Sequence, residues 1–123
     1  MENGDSLLVK ELTDTFTCQM QMYRELKVLV QKMIGKLVIS RGDMSGLLSS
    51  MEQKQKIIES IESERSRHSD AIMQWQLKKN NVTMSPEVGV LEKVLESTGC
   101  AIRDFIDQEE QLRNYLEKCI RKS

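Results

Sequence analysis

The chain reads as an all-α protein: a long antiparallel helical hairpin followed by a third long C-terminal helix, in a coiled-coil-like three-helix bundle. Three observations predict this. Apolar residues recur every three or four positions through three long stretches, the period of a helix that buries one stripe. Helix breakers are scarce, with one Pro in 123 residues, and aromatics make up only 4% of a chain rich in Glu, Lys, Gln and Leu. Two polar breaks, Ser40–Asp43 and Asn80–Ser85, separate the periodic stretches. A chain of this length holds one core, so residues 1–123 are expected to form a single domain with helices at about 7–40, 43–79 and 86–121.

Residues 1–6 are a polar, Gly-containing start expected to fray. Leu8, Leu12, Phe16, Met20, Tyr23, Leu26, Val30, Met33 and Leu37 then mark the first helix. Its segment KVLVQKMIGKLVI is apolar on more than one side. Either both other helices cover it or part of it faces another chain.

Gly42 suits the left-handed position that ends a helix, and Asp43 suits the cap of the next. So short a connection makes the first two helices antiparallel neighbours. In the second helix Met44, Leu47, Met51, Ile58, Ile61, Ile72 and Trp75 form the stripe. Lys54, Arg65 and His68 fall in the same register, where apolar residues are expected. A helix of this span is about 50 Å long and depends on partners along its apolar side. Lys78 and Lys79 suit its C-terminus, and Asn80-Asn81 its stop.

Ser85-Pro86-Glu87 is a clear helix start: a capping hydroxyl, a proline at the first position and an acid beside the positive helix end. The third stripe is Val88, Leu91, Leu95, Thr98, Ile102, Phe105, Glu109, Leu112, Leu116 and Cys119. Thr98-Gly99 is a weak point where a bend or break is expected. Ile106, Tyr115 and Ile120 lie off the stripe and widen the apolar surface beyond a narrow seam.

Composition excludes several functions. The formal net charge is -1, with Lys and Arg interspersed among Asp and Glu, which argues against nucleic acid as the main partner. No apolar run reaches the length of a membrane span and no signal segment is seen, so the reading is no membrane insertion and a cytoplasmic location. Cys18, Cys100 and Cys119 are odd in number and lack a CxxC pair, so buried or half-buried reduced thiols are expected rather than disulfides or zinc. Cys100 and Cys119 would stand about 28 Å apart on one helix. His68 is the only histidine, with no nucleophile or carboxylate placed to work with it, and is expected to be a satisfied, half-buried or rim residue. Phosphate loops and metal-ligand motifs are absent. The expectation is no enzyme, no metal and no cofactor. The charge run ESERSRHSD at 62–70 reads as a solvated face with i,i+3 and i,i+4 support. Of eight methionines, Met33, Met44 and Met51 are expected to fill the hairpin core, although methionine also suits surfaces that repack around apolar ligands. What remains is helix-on-helix binding. The third helix either leaves the bundle at a Gly99 hinge to pair with a partner, or closes the bundle or a homodimer.

The first helix ends in YRELKVLVQKMIGKLV, and SRGDMSGLLSSMEQKQKIIESIESERSR follows. The series GDM, a leucine pair and E-x-KQ-x-II-x-x-I-x-x-x-R resembles the FlgN family of flagellar export chaperones, and QEEQLRNYLEKCI resembles the family's closing helix. The resemblance implies a cytosolic chaperone of type III secretion. Its partners would be the C-terminal helical segments of flagellar hook-associated (hook-filament junction) proteins, which it keeps from assembling early. Delivery to the export gate implies contact with gate or export ATPase components. The family's cargo contacts map to its C-terminal helix, which implies Phe105, Ile106, Leu112, Tyr115, Leu116 and Ile120 as partner-binding residues here. Arg103, Asp107, Arg113 and Glu117 would set register around them. On this reading Leu112→Asp with Leu116→Asp abolishes binding while helical content survives. The alternatives are a FliT-like or other secretion chaperone, or a structural coiled coil that dimerises.

Overall fold

The computed structural model describes residues 3–122. Among them are α1 (Asn3–Ile39), α2 (Leu48–Arg67), α3 (Ser69–Lys78) and α4 (Pro86–Lys122), with no strand. The protein is all-α. Residues 3–6 are helical rather than frayed, and the same expectation for Met1 and Glu2 lies outside the described residues.

α1 ends in a Schellman turn, with Gly42 N–H donating to Leu37 O at 2.8 Å and Arg41 N–H to Val38 O at 3.3 Å. Arg41 holds the helix-ending left-handed position at φ 59°, and Gly42 follows at φ 93°. Gly42 is thus left-handed as expected, but the residue that ends the helix is Arg41. Asp43 does not cap the second helix. Its Oδ1 accepts the Ser45 N–H at 2.9 Å, an Asx turn within the loop. That helix starts at Leu48 rather than 43, after Leu47, which offers no side-chain cap and is 3% exposed. Burial of Leu47 in the core places the helix start.

The second predicted helix is two helices, bent at His68 (φ -109°, ψ 18°). Hydrogen bonds cross the bend, from His68 N–H to Glu64 O and from Ile72 N–H to His68 O. The half-buried imidazole puts Nδ1 3.0 Å from Glu11 Oε2 on α1 and Nε2 3.2 Å from Glu64 Oε1 on α2. His68 therefore ties the bend to α1, and two carboxylates stand at the imidazole where none was expected, because Glu11 reaches it from another helix. Arg67 also pairs with Glu64, three residues away, as expected of a solvated charged face.

At Gly99 nothing breaks, and α4 runs unbroken. The buried Thr98 hydroxyl stands 2.7 Å from Val94 O and 3.1 Å from Phe16 O, so its proton is shared between its own helix and α1. At the start of α4 the Ser85 hydroxyl accepts the Val88 N–H at 3.3 Å, the cap read from sequence.

α1 is the element on which the others pack. α2 and α3 run antiparallel to it, as Leu37 meeting Leu47, Glu11 meeting His68 and Asp5 meeting Lys78 at 3.5 Å require. α4 runs parallel to it, with Phe16 beside Thr98, Tyr23 beside Phe105 and Lys27 Nζ 3.7 Å from Asp104. The core has two parts. One joins Leu8, Val9 and Leu12 to Ala71, Trp75, Val88 and Leu91. The other joins Val30, Met33 and Leu37 to Leu47 and Leu112. Each buried Leu or Val in them contributes about 1.5–3 kcal/mol. Between them lies a polar waist of buried Thr15, Gln19 and Thr98. Met33 fills the core as expected, but Met44 and Met51 are exposed. Cys18 and Cys100 are exposed too, against the expectation of buried thiols, and Cys119 is half-buried.

Candidate helix-docking site

α2 and α3 cover one flank of α1 and α4 covers another, yet no α carbon of α2 or α3 comes within 8 Å of one in α4 among the described residues. The two flanks are walls of a furrow, and α1 is its floor. At one end the walls open on a cavity of about 360 Å³ floored by Phe16, between Ile72 and Trp75 of α3 and Leu95 of α4. Further along, the Lys54 ammonium of α2 reaches across to Glu109 of α4 at 2.6 Å.

That ion pair identifies the inward faces of both walls. Residues three, four and seven positions apart share a helix face, so Met51 and Ile58 line the same side of α2 as Lys54. On α4, Ile102, Ile106 and Leu116 share the side of Glu109 by the same spacing. Met51 is 53% exposed and Ile106 is 54% exposed, whereas Ile58, Ile102 and Leu116 are half-buried. Ser50 and Ile61 of α2, with Leu47 just before it, are buried, while Met51 is exposed and Ile58 half-buried. Exposed Met51 and Ile106 leave apolar surface on both flanks near the Lys54–Glu109 bridge.

The residues implied by resemblance divide between core and surface. Leu112 is 4% exposed in the core with Val30, Met33, Leu37 and Leu47, and Phe105, Tyr115 and Leu116 pack half-buried against that cluster. Ile106 and Ile120 are exposed, at 54% and 61%. A charge at Leu112 would therefore strike the core. Sequence periodicity did not single out Met51 and Ile58 as a docking wall, because it assigned them to the buried stripe. The cue present was Lys54 in their register, a cation that needs an opposite charge across a gap.

Chemistry beyond packing is sparse here. No group of three His, Cys, Asp or Glu among the described residues is arranged to hold a metal ion. No described helix is long and apolar enough to cross a membrane. Comparison with known proteins finds no matching family model, no matching curated protein and no matching solved structure.

Proposed function

We propose that the protein is a cytoplasmic export chaperone that holds a helical segment of its cargo in the furrow between α2–α3 and α4. The cargo class is the C-terminal helices of flagellar hook-associated proteins, bound before assembly and released to a type III export apparatus. The observation that carries the reading is exposed apolar surface on both flanks, Met51 on α2 and Ile106 on α4, with no α carbon of α2 or α3 within 8 Å of one in α4 among the described residues. An amphipathic helix laid there places its apolar ridge between the walls, as bundle helices do. Its own exposed stripe is hidden while it waits, which suppresses aggregation. The family resemblance of α1, α2 and the end of α4 supplies the cargo. Binding requires no covalent step, and the protein acts without enzymatic chemistry.

Calorimetric titration of the full chain with C-terminal segments of hook-associated proteins tests this. Saturable binding with a negative heat-capacity change is expected, weakened at least tenfold by Met51→Asp with Ile106→Asp at unchanged helical content. Absence of binding by the folded chain would remove the cargo assignment. A concentration-dependent dimer weakened by the same two substitutions would give the furrow to a second copy.

A further inference from the structure

A second groove lies on the other side of α2, between α1 and α2. It encloses about 630 Å³, floored by Val28 and Leu29 of α1 and Ile57 of α2 and rimmed by Arg24, Lys32 and Lys36. Val28 is 47% exposed. Arg24, Lys32 and Lys36 form no ion pair among the described residues. Glu25 is the single carboxylate in the lining. In a chain of net charge -1, this face is locally cationic.

We propose that this groove is a docking site for an acidic amphipathic helix of a partner protein. Residues 24, 28, 32 and 36 follow one another at four-residue steps and form a single ridge about 18 Å long. A helix laid beside that ridge repeats on the same step. It sets carboxylates against Arg24, Lys32 and Lys36 and an apolar stripe against Val28, Leu29 and Ile57. Charge selects the partner and fixes its register, and the apolar floor holds it. The site is independent of the furrow, because the two open on different sides of α2.

The test uses the isotope-labelled full chain and two synthetic 18-residue helical peptides. Both carry one Leu/Ile stripe, flanked by Glu in one and by Lys in the other. The Glu peptide is expected to shift the amide resonances of Val28, Leu29, Ser50, Gln53 and Ile57 and to bind at least tenfold tighter than the Lys peptide. Lys32→Glu with Lys36→Glu, both on exposed side chains, is expected to reduce that affinity at least tenfold at unchanged circular dichroism. Equal binding of both peptides, or shifts confined to Met51, Ile58, Ile102 and Ile106, would overturn the proposal. So would vesicles of phosphatidylcholine and phosphatidylglycerol producing the same shifts as the Glu peptide, since the face would then be a surface for anionic lipid.

Discussion

The Lys54 ammonium on α2 lies 2.6 Å from the Glu109 carboxylate on α4, and each residue occupies a position where its helix's stripe calls for an apolar side chain. Their side chains are 21% and 32% exposed. The pair spans the furrow and aligns its walls. Removing one partner by Glu109→Ala leaves a half-buried cation, and a loss of about 1–2 kcal/mol is expected in chemical denaturation. A double-mutant cycle with Lys54→Ala should recover a coupling of about 1 kcal/mol. Lys54→Met with Glu109→Leu together should be no less stable than the parent, because an apolar pair of similar volume carries no desolvation cost.

Gln19 is 1% exposed in the waist between the two core clusters, and its Nε2 finds no hydrogen-bond acceptor among the described residues. An unpaired buried amide costs about 1–3 kcal/mol. Gln19→Met keeps the shape and removes the donor, so the denaturation midpoint should rise. A fall would mean that the amide is paired in solution.

The turn after α1 makes opposite predictions for adjacent residues. Arg41 takes φ 59° with a side chain that disfavours it, so Arg41→Gly should stabilise the protein by about 1 kcal/mol. At Gly42, φ is 93° and an added Cβ would lie 3.0 Å from Cys119 Sγ. Gly42→Ala should destabilise by about 1 kcal/mol or more. Thermal or chemical denaturation of the two variants checks both signs.

Hydrogen bonds from the Ser45 backbone N–H, and secondly from its side chain, hold the Asp43 carboxyl below its ordinary value of 3.8. A depressed value in the folded state means that the stabilising contribution is complete above 3.8 and is lost as pH falls through the lowered value. Carboxyl NMR should show Asp43 titrating below that ordinary value. Ser45→Ala should raise its midpoint only in part, since the backbone donor remains.

Much of this fold was legible because helical periodicity reports burial directly. Every member of the third stripe, from Val88 to Cys119, is buried or half-buried, and the Ser85 cap and Pro86 start stand where the residues place them. The second helix was harder. Its bend at His68 depends on carboxylates from α1 and α2, and a tertiary partner such as Glu11 leaves no local trace in the sequence. Thr98-Gly99 shows the reverse, a local weakness cancelled by the Thr98 hydroxyl reaching Phe16 O. The candidate docking surface was half legible. Ile106 is apolar, off the stripe and exposed, while Leu112 lies in the core and Met51, in the stripe by spacing, is exposed. Periodicity gives the existence of a stripe but not its angle to a neighbour.

The most direct test of the furrow is methyl NMR of the full chain, titrated with a C-terminal helix of a hook-associated protein. Shifts are expected at the methyl groups of Met51, Ile58, Ile102 and Ile106, with those of Val28 and Ile57 unmoved. Saturable binding that leaves the first four unmoved would contradict it.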